Sequence, residues 1–130
     1  MSSTSMPQEL AAGYRRFITD RAQSEQSLYR QLGEGQSPHT LVISCADSRV
    51  DPATIFGAAP GELFVIRNVA NIVPPFSIYS SDPNSSLAGT AAALEFAVEH
   101  LRVSRILVMG HGKCGGVAAA LGKAQNPDEP

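Results

Sequence analysis

Residues 106–121 read Ile-Leu-Val-Met-Gly-His-Gly-Lys-Cys-Gly-Gly-Val-Ala-Ala-Ala-Leu, an apolar, partly β-branched run that passes through glycines into a stretch of small residues. A short apolar run bounded by turn residues is the pattern of a buried strand. The pattern predicts a strand over Ile106–Met109, a glycine turn, and a helix from Val117 to about Leu121. Working outward, Leu41-Val42-Ile43 follows Gly35 and Pro38 and predicts an earlier strand with Cys45 at its carboxyl end. A strand over Leu63–Ile66 follows the turn at Pro60-Gly61. Between them, Asp51-Pro52 reads as an N-cap and a first-turn proline, opening a short helix that runs to Gly57. A longer helix is expected from Leu87 to Leu101, with Leu94, Val98 and Leu101 on one stripe and Ser85 or Ser86 as cap. Strands and helices alternate, which predicts an α/β protein: a Rossmann-like parallel sheet with right-handed crossovers and flanking helices.

Two N-terminal helices precede this core. Leu10, Tyr14, Phe17 and Ile18 fall on one face of a helix over Pro7–Arg21, and Leu28 and Leu32 repeat the pattern over Ser24–Leu32. The organisation expected is N-terminal helices over 1–35, an α/β core over 36–123 and a polar tail over 124–130. Asn68–Pro75 and the Ser-rich Ser77–Ser86 read as loops. With 130 residues, one hydrophobic core is the expectation.

Composition narrows the function classes. Hydrophobic residues make up 43% and charged residues 17%, which suits a chain with much buried surface. A net charge of -2, with no basic run longer than Arg15-Arg16, gives nucleic acid no surface to bind. No apolar stretch approaches the ~18 residues that span a bilayer, and the polar N-terminus lacks the apolar centre of a secretory signal, so a cytoplasmic address and no membrane partner are expected. In a reducing cytosol the only two cysteines, Cys45 and Cys114, read as buried or metal-binding thiols before a disulfide.

Cys45 and Asp47 are two apart at the end of one predicted strand, and His111 and Cys114 are three apart where another turns into a helix. In open parallel sheets ligands bind at the carboxyl ends of strands, beside the point where strand order reverses, so the two motifs converge on one crevice. A single buried Cys is usually packing and a single loop His is usually solvated. A Cys-x-Asp and a His-x-x-Cys at two strand ends are harder to explain as packing. Two thiolates and an imidazole suit zinc, and three protein ligands with one exchangeable position is the pattern of a catalytic site; Asp47 can take the fourth position or release it. A competing reading exists, because Gly110-His-Gly-Lys-Cys-Gly115 formally matches a G-x-G-x-x-G dinucleotide turn. The acid expected about 20 residues further on would fall beyond Pro130, and Lys113 is followed by Cys114 where a phosphate loop needs Ser or Thr.

Cys45-Ala-Asp47-Ser48-Arg49 and His111-Gly-Lys-Cys114-Gly115-Gly116 closely resemble the hallmarks of the β-class carbonic anhydrases. Gly61-Glu-Leu-Phe-Val-Ile-Arg-Asn-Val-Ala-Asn71 and Leu94-Glu-Phe-Ala-Val-Glu-His100 are similar to further segments of that family. The resemblance spans about Gln36 to Leu121. It implies a zinc enzyme that reversibly hydrates carbon dioxide to bicarbonate through zinc-bound hydroxide. Cys45, His111 and Cys114 would be the zinc ligands, with Asp47 as their optional fourth, and Asp47 and Arg49 the catalytic dyad. Gln36 and the Gly115 amide would face the substrate. Phe64, Val69 and Phe96 would line an apolar pocket, Phe96 from the neighbouring subunit, though ordinary packing explains these three equally well.

The resemblance also implies a homodimer or larger even assembly. Val42 stands where some bacterial members carry a Trp of an inhibitory bicarbonate site, which implies the plant-like subgroup and no such site. The family continues beyond the His-x-x-Cys helix, which implies that this chain is an N-terminal portion with the C-terminal strands missing and Ile106–Met109 at a sheet edge. Two alternatives stand beside this reading: a carbonyl sulfide or carbon disulfide hydrolase of the same fold, or a catalytically inactive fragment that binds zinc or, through its glycine loop, a nucleotide.

Overall fold

Thr40–Cys45 forms β1, buried along its whole length and paired in parallel on both edges. The computed structural model describes residues 5–75 and 86–125, so most of the expected Ser-rich loop, the cap candidate Ser85 and most of the polar tail lie outside the described residues. β1 outruns its apolar triplet because Thr40, Ser44 and Cys45 find backbone partners on β2 (Leu63–Asn68), and Thr40 and Ser44 also on β3 (Arg105–Met109). The strand order is β2-β1-β3, with Leu41 opposite Phe64 and Ile106, and Ile43 opposite Ile66 and Val108. This is the parallel α/β sheet that the alternating pattern predicts.

The chain divides into two compact units, Met1–Gln36 and Ser37–Pro130. In the first, α1 (Gln8–Arg16) continues through a π-helical turn, Phe17–Arg21, into α2 (Ala22–Ser24), and α3 (Gln26–Glu34) follows. The Thr19 hydroxyl donates back to the carbonyls of Arg15 and Arg16, at 3.0 and 3.3 Å, beside the widened turn. Phe17 packs edge-on against Tyr29, with centroids 5.7 Å apart. The rest of the expected apolar face, Leu10, Tyr14 and Ile18, is exposed.

In the second unit, Leu41, Ile43 and Ala97 form the core, with Phe64, Ile66, Leu94 and Val103 packed against it. The helix above it is α5 (Ala88–Glu95), extended by a π-helical turn over Phe96–His100. Two sequence expectations change here. The Leu94–Val98–Leu101 stripe is interrupted, since the wide turn, closed by Leu101 N–H to the Phe96 carbonyl, rotates the later side chains. Ala97 becomes the buried residue and Val98 stays exposed. The N-cap position falls at Leu87, whose apolar side chain cannot accept a hydrogen bond, in place of Ser86.

α4 (Pro52–Phe56) starts with proline in its first turn and ends at Gly57, whose φ of 56° is left-handed. Asp51 holds its N-cap position, but its carboxylate accepts from the Thr54 hydroxyl at 2.7 Å in place of a backbone amide. Among the described residues β3 is an outer strand, and Ile106 and Val108 are 49% and 50% exposed. The core therefore weights the two edges of β1 unequally. Leu41→Ala should cost about 2–5 kcal/mol, as buried leucine truncations do, whereas Val108→Ala should cost clearly less. Urea unfolding midpoints of the two variants check this, equal losses being the contrary result.

Candidate metal centre

β1 carries Cys45 at its carboxyl end, and the ladder closes one residue later where Ala46 N–H donates to the Asn68 carbonyl at 2.8 Å. On the other side, β3 runs into the turn Gly110–Cys114, with Lys113 in the left-handed region at φ 56°. α6 (Gly115–Gln125) then begins, with Ala118 N–H on the Cys114 carbonyl. Because β1 lies between strands that follow it in sequence, the order reverses beside it, and the crevice forms there.

The glycine turn delivers His111 and Cys114 into this crevice. The Cys45 and Cys114 sulfurs are 3.8 Å apart, and with a His111 ring nitrogen all three ligand atoms lie within 4.8 Å of one another. Both cysteines are free and buried. His111 Nδ1 stands 2.9 Å from the Gly112 carbonyl, a contact that places the ring proton on Nδ1 and leaves a lone pair on Nε2. Nε2 is buried and has no hydrogen-bond partner. A buried imidazole nitrogen without a partner, facing two sulfurs, has the donor chemistry of a zinc site, and the residues fit the ion.

The electrostatics agree. The Ala70 N–H points at Cys45 Sγ from 3.4 Å; this bond first, then the Asp47 backbone and His111, lowers the Cys45 thiol to about 6 against the opposing effect of burial. The nearby Cys45 sulfur favours the protonated imidazole and raises His111 above its ordinary value, so ligation through Nε2 would release a proton. A thiol that ionises this readily is prepared to be a ligand.

Asp47 stands beside these three residues without joining their group. Its carboxylate takes Arg49 Nε at 2.9 Å on Oδ1 and Arg49 Nη2 at 2.7 Å on Oδ2, and the Arg49 backbone N–H also donates to Oδ1. This two-pronged pairing holds the Asp47 carboxyl far below the usual carboxylate range and raises the Arg49 guanidinium. Asp47 Oδ2 is 3.9 Å from His111 Nε2, and Arg49 Nη2 reaches the Lys113 carbonyl at 3.3 Å, tying the first motif to the second.

The other residues singled out from the sequence are placed as follows. Gly115 opens α6 beside Cys114. Val69 is 63% exposed in the turn after β2. Phe64 and Phe96 of this one chain pair with each other, their centroids 5.8 Å apart. Gln36 is exposed and ends the first unit.

The sequence placed a loop after β2 but gave no sign of its backbone shape. Ala70 and Asn71 take φ of 73° and 47°, and the Asn68 amide brackets them, accepting from Ile72 N–H at 2.6 Å and donating to its carbonyl at 2.8 Å. α6 lies so close that a Cβ on Gly116 would meet Val69 Cγ1 at 2.5 Å and Ala70 Cβ at 2.9 Å, so glycine is required there. The sequence reading missed Arg67, whose guanidinium donates to backbone carbonyls around Asp47. The only sequence signal was Arg-Asn closing an apolar strand.

The sequence profile described as carbonic anhydrase matches residues 40–130. β-Carbonic anhydrase 5, chloroplastic, of Arabidopsis thaliana is 50% identical over 93 residues, covering 72% of this chain and 29% of that protein. Among solved structures, the β-carbonic anhydrase CcaA superposes with a TM-score of 0.80 at 37% identity, over 94% of this chain and 52% of that one. The β-carbonic anhydrase CafA of Aspergillus fumigatus gives 0.74 at 39% identity, over 87% and 50%. For the tetrameric β-carbonic anhydrases of Sordaria macrospora the values are 0.73 and 38%, over 87% and 52%. The chain spans about half the length of these solved relatives.

Loaded with zinc and purified, the chain should carry one equivalent, and Cys45→Ser should lose it, because one imidazole and one thiolate make a poor site. Metal analysis by mass spectrometry checks this. A full equivalent retained on His111 and Cys114 alone would show the coordination to be wrong.

Proposed function

This chain belongs to the carbonic anhydrase family, in its β class, and from that premise we propose that it is a zinc-dependent lyase hydrating carbon dioxide reversibly to bicarbonate. The observation that carries the reading is a carboxylate locked by its own arginine beside a buried Cys-His-Cys group. Cys45, His111 and Cys114 hold the zinc ion in this reading. Bound there, zinc supplies a water acidified towards neutral pH, less so than in a site of neutral ligands because two thiolates offset its charge.

The rest of the chemistry belongs to the chain. Asp47, kept ionised by Arg49, accepts a hydrogen bond from the attacking oxygen at a carboxylate oxygen and so turns that oxygen's lone pair toward carbon dioxide. Arg49 also holds the Asp47 carboxylate in its fork, apart from the Cys45–His111–Cys114 group; without that fork Asp47 would be free to serve as a fourth ligand. The Gly115 amide contacts the substrate, and Phe64, Val69 and Phe96 supply apolar walls that hold a nonpolar gas and exclude water. An even assembly, with Phe96 offered across a subunit boundary, completes the pocket, consistent with the tetrameric Sordaria relatives.

Among the described residues no helix is long and apolar enough to cross a membrane. Two free cysteines at the site fit a reducing compartment, and we assign the cytoplasm.

Asp47 sits so far below the usual carboxylate range that it stays ionised throughout the neutral interval. Across that interval a rise of rate with pH would therefore come from the acidified water, and protonation of Asp47 would lower the rate only in strong acid. Zinc-loaded Asp47→Asn should keep its metal yet lose a factor on the order of 10² in hydration rate, as when a positioned acid or base group is removed. Stopped-flow hydration between roughly pH 7 and 9, around the zinc-water pKa, tests this, with carbonyl sulfide and carbon disulfide as comparison substrates. A near wild-type rate in Asp47→Asn would remove that residue from the mechanism. A zinc-loaded wild type inert toward carbon dioxide would overturn the activity itself.

A further inference from the structure

The Asp47–Arg49 pair is local: its two members are two residues apart, and their hydrogen bonds fix one to the other without fixing either to the ligands. Past the last ladder bond at Ala46, the segment leading to Val50 has no neighbouring strand to receive its backbone groups. Carbonyls in such a segment need donors from elsewhere. Arg67, opposite Ser44 near the end of β2, supplies them. Its Nε donates to the Cys45 carbonyl at 2.8 Å, and its Nη2 donates to the Asp47 carbonyl at 2.6 Å and the Val50 carbonyl at 3.4 Å. The guanidinium is partly buried, with Nη1 3.9 Å from Asp51 Oδ1.

We propose that Arg67 is the positioning residue that sets where Asp47 stands relative to the Cys45–His111–Cys114 group. One planar fork grips the backbone at a ligand, at the reacting carboxylate's residue and at the far end of the same turn. The Arg49 contact to the Lys113 carbonyl, at 3.3 Å, and the 3.9 Å approach of Asp47 Oδ2 to His111 Nε2 add ties from the pair to the second motif. A lysine places a single point charge there and cannot hold three carbonyls in one plane. Because a displacement of about 1 Å can cost up to ~10² in rate, a loosened turn moves Asp47 out of use while the zinc ligands stay in place. The catalytic half of this proposal rests on the carbonic anhydrase reading; the structural half does not.

The experiment compares zinc-loaded wild type, Arg67→Gln and Arg67→Lys, the lysine variant carrying the measurements if glutamine prevents folding. Hydrogen exchange reads the clamp without reference to activity. Exchange at the Arg49 and Val50 amides, which donate to Asp47 Oδ1 and the Asp47 carbonyl, should accelerate about tenfold or more, while β1 amides exchange as in wild type. Zinc content should remain one per chain. The kcat for hydration should fall about tenfold or more with KM little changed, and in an Asp47→Asn background the same Arg67 substitution should cost almost nothing further, as expected of residues acting as a unit. Unchanged exchange at Arg49 and Val50 overturns the proposal, as does an equal loss of kcat in both backgrounds. A wild type without hydration activity defeats the carbonic anhydrase reading alone, and the exchange comparison still decides whether Arg67 holds the turn.

Discussion

β1 is hydrogen-bonded along both edges, and its register decides what can meet at its carboxyl end. Cys45 lies opposite Asn68 of β2, and Ser44 lies opposite Met109 of β3. The turn after β2 and the glycine turn after β3 are therefore brought to either side of one thiol. A slip of one residue on either edge would send alternate side chains to the other face and separate the sulfurs. The buried Leu41 and Ile43 make such a slip costly, so the apolar core of the strand and the placement of its terminal cysteine are one constraint.

Two arginines divide the work around the site. Arg49 spends its fork on a carboxylate, charge on charge, and sets an ionisation state. Arg67 spends its fork on neutral carbonyls and sets a backbone path. A third donor, the Ala70 amide, reaches the Cys45 sulfur from a turn held in left-handed conformation by Asn68. Such strained residues persist where their surroundings over-determine them, and here the close approach of Gly116 closes the turn from the far side.

Much of this was legible in the sequence because it follows from local pattern. The short apolar runs named the strands, the Asp-Pro and the glycine bracketed α4, and the Cys-x-Asp and His-x-x-Cys motifs fell at strand ends where a parallel sheet gathers its ligands. Other features depend on tertiary context. Thr40 and Ser44 stand outside the apolar triplet, and the strand takes them in because neighbours on both edges supply hydrogen bonds. The π-helical turn that broke the Leu94–Val98–Leu101 stripe leaves no periodic signature in so short a segment. Val69–Asn71 looked aperiodic because two of its residues adopt backbone angles that pattern reading does not anticipate, and the aim of Arg67 is set by carbonyls 17 to 22 residues away in sequence.

The two sulfurs that face each other across 3.8 Å are 69 residues apart along the chain. Measured as a polymer, that separation delays the site. Closing a loop of this length costs entropy before any contact repays it, and parallel strands offer no tight hairpin that could bring the ends together early. β1 and β2 can zip with a much shorter intervening segment, so half of the crevice can exist while the other half is still searching. The crevice is completed only when β3 docks on the second edge of β1, which makes its assembly a report on the longest-range contact in the sheet and ties the readiness of the site to the slowest kind of event in folding such a topology.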